Sequence, residues 1–258
     1  MRLPGIKLVT FDVTNTLLKF HKPPWEHYAA VAHKFGFKGN GISIKNKLLD
    51  NYKHMTKQHP NFGKDTISWE RWWGKVIEMT FQGDISLANI DMISKKLIED
   101  YKTAICWQIS EGSEDLIKIL KQSNITIGVI SNFDPRLHEI LFNLNLNKYF
   151  EFIITSYEVG ISKPDKKIFQ IAQEKCNKDI DSTQCLHIGD DITNDYIGAT
   201  EAGWNALLIT KSIKHIESQI KRENSFVSCT TFYTSINILA NGRNPLRSQA
   251  HVRLTRAL

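Results

Sequence analysis

The sequence predicts an α/β protein, a doubly wound parallel sheet interrupted near its start by a block of helices. Two observations carry this. Short apolar runs rich in β-branched residues recur at 8–11, 126–130, 152–155, 185–188 and 206–209, and those after residue 111 alternate with stretches of helical length. The segment 20–101, by contrast, shows helical periodicity throughout.

The first strand runs through Leu8, Val9, Thr10 and Phe11, ends on Asp12, and breaks at once into Thr14-Asn15-Thr16, a turn composition. Four amphipathic helices are then predicted in series. Trp25, Tyr28, Val31, Ala32 and Phe35 share one helical face, with Gly36 as the stop. Ile44, Leu48, Leu49 and Tyr52 mark the second. After a turn at 59–63, Trp69, Trp72, Trp73, Val76, Ile77 and Phe81 form the third, with Ser68 as its N-cap and the tryptophan stripe read as bundle core. Leu87, Ile90, Ile93 and Leu97 mark the fourth. From residue 111 helices precede each strand, through Leu116 and Leu120, Leu137 and Leu141, Ile168 and Ala172, and a last one stopping at Gly203.

At 258 residues, 41% hydrophobic and 23% charged, the chain can bury a sizeable core. The net charge of +6 owes much to Arg243, Arg247, Arg253 and Arg256, beyond the last periodic segment, so residues 240–258 are expected to form a basic, disordered tail with no dedicated nucleic-acid role. Cys106, Cys176, Cys185 and Cys229 form no C-x-x-C pair, and neither a secretory segment nor a membrane span is visible. The expectation is a soluble, intracellular protein in a reducing compartment: cytoplasmic, with nucleus and mitochondrion left open.

Three predicted strand ends carry polar cargo: Asp12, Ser131-Asn132 and Asp190-Asp191. Parallel strands deliver such residues to one edge of the sheet, where open α/β sheets hold ligands. Lys163 sits in a loop between two of those strands. Gathered carboxylates repel, and their pKa values rise unless a cation intervenes. Lys163 plus a divalent ion would keep them ionised, and an oxygen-only donor set suits Mg2+. Ser131, Asn132 and the following helix N-terminus could grip phosphate oxygens, and Asp12 would attack phosphorus.

Phe11-Asp12-Val13-Thr14-Asn15-Thr16-Leu17, Val129-Ile130-Ser131-Asn132, Ser162-Lys163-Pro164-Asp165 and Ile188-Gly189-Asp190-Asp191-Ile192-Thr193-Asn194-Asp195 resemble, in order, the four motifs of the haloacid dehalogenase superfamily. The resemblance implies a Rossmann-like core at 1–19 and 104–239, and a C1-type helical cap at 20–103 that closes over the site. It makes Asp12 the nucleophile and an Mg2+ ligand, with the Thr14 carbonyl and Asp190 as further ligands. Ser131 and Lys163 become the phosphate-binding pair. Asp195, and at a more variable position Asp191, stand behind the ligands.

One departure matters. Family phosphatases carry an aspartate two residues after the nucleophile, where this chain has Thr14. General acid–base catalysis contributes about 10²–10⁴-fold, so a slow phosphatase, a good leaving group or no turnover is expected. The reading is Mg2+-dependent hydrolysis of a small phosphomonoester. The alternative is a degenerate relative binding a phosphometabolite or a protein partner. Dehalogenation ranks below both, because dehalogenases of the superfamily replace the carboxylate that this chain keeps as Asp190.

Overall fold

The computed structural model describes residues 5–176, 179–209 and 228–229. The tail expected at 240–258 lies outside them. In chain order the elements are β1 (Leu8–Phe11), β2 (Leu18–Phe20), α1 (Pro24–His33), α2 (Gly41–Gln58), α3 (Trp69–Phe81), α4 (Leu87–Asp100), β3 (Trp107–Ile109), α5 (Ser113–Gln122), β4 (Thr126–Ser131), α6 (Arg136–Asn143), β5 (Phe152–Thr155), α7 (Ser156–Val159), α8 (Lys166–Lys175), β6 (Cys185–Gly189), α9 (Gly198–Glu201), β7 (Asn205–Ile209) and β8 (Ser228–Cys229). A π-helical turn, Ile192–Ile197, lies between β6 and α9.

Two compact units emerge. Among the described residues, one draws on the chain up to Lys19, on Ile109–Ser131 and on the chain from Leu146 onward, the other on Phe20–Gln108 and Asn132–Asn145. The first holds a parallel sheet of order β5-β4-β1-β6-β7-β8. In it β1 is central, and Phe11 stands level with Val129 on one side and Ile188 on the other. Leu8, Val9, Thr10 and Phe11 are all fully buried, as a strand covered on both faces requires. The chain winds one way from β1 to β4 and β5 and the other way to β6 and β7, so the order reverses at β1. Open α/β sheets hold ligands beyond the carboxyl ends of the strands at such a point.

Helices α1 to α4 match the periodicity that predicts them, while the unit that holds them also includes α6, which the sequence reading assigns to the core. Ser68 caps α3 by accepting from the Arg71 N–H at 3.2 Å, and Asn40 and Ser43 form a reciprocal capping box on α2. Trp72, Val76, Ile77, Phe81, Ile93 and Leu97 fill its core. Trp72 is fully buried in that core and the half-buried Trp73 packs against it, whereas Trp69 is only half-buried. Trp73 also donates its indole N–H to Asp134 at 2.9 Å, and the Arg136 guanidinium lies over the Trp69 and Trp73 rings at 5.1 Å and 5.0 Å.

Strands β2 and β3, which pair as a separate small sheet, are absent from the sequence reading, because three residues are too few to show alternation. The last helix expected before Gly203 is a π-turn running into a single short turn of α-helix. Among the described residues no helix is long and apolar enough to cross a membrane, and Cys106, Cys176 and Cys185 are free and buried.

Candidate active site

Asp12 is the first residue beyond β1, its backbone N–H held by the Ile188 carbonyl at 2.9 Å, so its side chain leaves the sheet at the strand's carboxyl end. The turn that follows is fixed by Asn15, which adopts a left-handed conformation (φ 59°) that asparagine tolerates better than most residues, and whose N–H bonds the Leu18 carbonyl at 2.7 Å. The Asn15 side chain also hydrogen-bonds Asp190. Thr14 is half-buried in this turn.

Ser131 closes β4 and donates its hydroxyl to Asp12 Oδ1 at 3.0 Å. Lys163, in the loop between α7 and α8, reaches the same oxygen at 2.8 Å, the Ile130 carbonyl at 2.8 Å and Asp195 Oδ1 at 2.6 Å. Only 3% of Lys163 is exposed, a burial an ammonium tolerates because every one of these oxygens accepts from it. Asp190 follows β6 directly. Asp195 lies within the π-turn, whose widened spacing shows in the Tyr196 N–H bonding the Asp191 carbonyl at 3.2 Å.

The fold therefore brings together Asp12, Ser131, Lys163, Asp190 and Asp195, all within the first unit. It sets Asp191 apart: this side chain is exposed and caps the π-turn, accepting from the Thr193 and Asn194 N–H groups at 2.9 Å and 2.7 Å. Asn132, although next to Ser131 in sequence, falls in the helical unit.

Sequence reasoning missed His187, which lies inside the predicted strand 185–188. Its Nε2 lies 3.2 Å from Asp195 Oδ1 and its Nδ1 lies 2.8 Å from the Thr10 hydroxyl. A signal existed, for Thr10 is two residues before Asp12, and His187 interrupts the apolar run 185–188. Polar side chains at period two on otherwise apolar, buried strands mark the same face as the strand-end residue.

Asp12, Asp190 and Asp195 each offer a carboxylate oxygen, and these atoms all lie within 4.8 Å of one another. Burial, with Asp195 adding repulsion against the pull of Lys163, pushes the Asp12 carboxyl up to about 6. Burial and the two neighbouring aspartates push Asp190 up to about 7. For Asp195 burial is outweighed by Lys163 and His187, which hold its carboxyl well below the usual range. Burial opposes charge on Lys163, but Asp12 and Asp195 raise its pKa, while burial keeps His187 neutral, its pKa lowered to about 4. Two strained acids beside an ionised third form a hard, oxygen-only donor set short of positive charge, which fits a divalent cation.

A family model for haloacid dehalogenase-like hydrolases matches residues 6–203, spanning every one of these groups. The chain belongs to that family. Among relatives of this haloacid dehalogenase-like hydrolase, the Rhythmically expressed gene 2 protein of Drosophila melanogaster is 39% identical over 251 residues, covering 91% of this chain and 96% of the relative. The haloacid dehalogenase-like hydrolase domain-containing protein 3 of Mus musculus is 32% identical over 211 residues, covering 80% and 83%. The solved structure of the putative HAD-hydrolase YfnB from Bacillus subtilis, described as bound to magnesium, is 18% identical with a TM-score of 0.65, covering 91% of this chain and 99% of that one. That last likeness supports the fold alone.

Proposed function

We propose that this chain is a Mg2+-dependent hydrolase of a small phosphomonoester, acting through an aspartyl-phosphate on Asp12. The observation that carries the reading is the shared engagement of Asp12 Oδ1 by Lys163 at 2.8 Å and Ser131 at 3.0 Å, beside two further carboxylates. Both contacts fall on one oxygen, which leaves Oδ2 for a phosphorus atom or a cation.

Asp12, Asp190 and the Thr14 carbonyl would hold the ion, with Asp195 behind them. When bound, it neutralises the gathered carboxylates and the incoming phosphate, so that a carboxylate can approach an anion. Lys163 balances charge on the transferring oxygens, and the Ser131 hydroxyl turns from Asp12 to a phosphate oxygen. An Asp12 oxygen forms the new bond to phosphorus as the bond to the alcohol breaks. The departing alkoxide takes its proton from solvent, because Thr14 has none to give at that acidity. Water then hydrolyses the acyl phosphate without a strong base at position 14. Residues 20–103 are read as a C1-type cap that selects the alcohol portion.

Thr14 also favours a second reading, a descendant that binds a phosphorylated metabolite or a protein partner without turnover. The first test is a screen of phosphomonoesters with Mg2+, using the natural protein and Asp12→Asn, together with binding of BeF3− as an acyl-phosphate mimic. Turnover abolished in Asp12→Asn, and BeF3− retained only when Mg2+ is present, is the expected result. Consumption of a haloacid without metal would overturn the phosphoryl-transfer chemistry.

A further inference from the structure

We propose that Thr10 and His187 form a buried relay that orients Asp195 and, through it, fixes Lys163 against Asp12. The proposal rests on the reading that Asp195 and Lys163 serve the cation and phosphate site. It assigns a positioning role to two residues that touch neither substrate nor ion.

The two residues are neighbours across the sheet, since Thr10 on β1 and His187 on β6 are register partners. Thr10 is fully buried and His187 is 1% exposed, so solvent satisfies neither. A neutral imidazole has one donor and one acceptor nitrogen. The ionised Asp195 can only accept, so the nitrogen facing it at 3.2 Å, Nε2, must carry the proton. Nδ1 is then the acceptor, and the Thr10 hydroxyl 2.8 Å away must donate to it. The chain Thr10 to His187 to Asp195 has a single direction of donation: the carboxylate, which only accepts, selects the tautomer, and the Thr10 hydroxyl satisfies the buried nitrogen that this tautomer leaves unprotonated.

The surroundings leave the carboxylate no other place to go. The Phe169 ring meets the His187 ring edge-on at 5.3 Å and 81°, fixing its plane. The Asp191 N–H holds Asp195 Oδ2 at 2.9 Å, while Oδ1 is shared by His187 and Lys163. A Cβ on Gly189 would stand 2.2 Å from the Asp195 carboxyl, so the glycine makes room for this one orientation. Without the imidazole donor, Oδ1 would be held by Lys163 alone, and the lysine would be drawn from Asp12 toward Asp195.

The test compares Thr10→Val, which keeps the shape and removes the hydroxyl, with His187→Gln, which keeps a donor, and His187→Leu, which does not. Nitrogen-15 spectra of the histidine ring read the tautomer, and calorimetric titration with Mg2+ reads the site. The natural protein should show His187 protonated at Nε2, and Thr10→Val should keep that tautomer while its Nδ1 resonance moves to that of an unbonded ring nitrogen. Mg2+ affinity should fall by roughly 10–100-fold in Thr10→Val and His187→Leu, the usual effect of losing a group that orients a ligand. His187→Gln should bind nearly as the natural protein does. An Nδ1–H tautomer in the natural protein overturns the relay, whatever the variants do. So does a folded Thr10→Val that keeps the natural Mg2+ affinity. A natural protein that takes up no Mg2+ defeats the proposed function, whereas the tautomer spectrum still decides the relay.

Discussion

Asp195 stands 2.6 Å from Lys163, slightly nearer than the 2.8 Å that separates the same ammonium from Asp12. One cation is therefore divided between two carboxylates. Asp195, helped also by His187, stays ionised, while the Asp12 carboxyl is pushed up to about 6 by burial that its share of Lys163 does not cancel.

Removing that cation exposes the imbalance. Lys163→Met should destabilise the metal-free protein by about 3–5 kcal/mol, the usual cost of leaving buried charges without their partner. Urea denaturation measures the loss, and added Mg2+ should recover part of it by binding only the folded state.

Affinity for Mg2+ should climb from about pH 5 to about pH 7 and then level, because the ion competes with protons on Asp12 and Asp190. The sign follows from their pKa values of about 6 and about 7, both above the ordinary 3.8, so the folded, metal-free site holds protons that unfolding or metal binding releases. The stability contributed by these two groups is present at low pH and lost as pH rises through 6 to 7. His187 works oppositely, since its pKa of about 4 makes folding costlier below the ordinary 6.5. Calorimetric titration with Mg2+ across this range separates the two effects, because His187 stays neutral over it.

Helices α1 to α4 were legible because each repeats a simple period over enough residues to register, and β1, β4, β5, β6 and β7 because each is a short, largely apolar run. Asp12, Ser131 and Asp190 were legible for a related reason: apolar strands ending in polar residues at one sheet edge converge. What escaped depends on contacts between strands. Thr10 and His187 are remote in sequence and become partners only through register, and Trp73 on α3 meets Asp134, just before α6, only through tertiary packing. The π-turn that delivers Asp195 has no period to read.

Thr14→Asp should raise phosphate release from a phosphomonoester by about 10²–10⁴-fold, supplying the proton for the leaving group and then the base for water. A natural protein without measurable turnover and an active Thr14→Asp would identify a site that binds phosphate and has lost its chemistry. An inactive pair would count against phosphoryl transfer altogether.

In the helical unit, Asp134→Asn should cost about 3–5 kcal/mol, because Arg136 would keep its charge in a buried position while losing its bidentate partner. The pair is joined by Arg136 Nε to Oδ1 at 2.8 Å and by a second guanidinium nitrogen to Oδ2 at 2.7 Å, with the residues 6% and 0% exposed. Chemical denaturation followed by the near-ultraviolet signal of Trp69 and Trp73, on which the guanidinium stacks, reports the change.

The central place of β1 has a consequence for the order in which this molecule comes into being. β1 lies between two strands made much later than itself, with Ser131 emerging 119 positions after Asp12. Until then a strand that is fully buried in the folded protein has neither neighbour to pair with, the condition in which nascent chains draw on chaperones. Any fragment ending before β6 lacks one flank of β1, and with it Asp190 and Asp195.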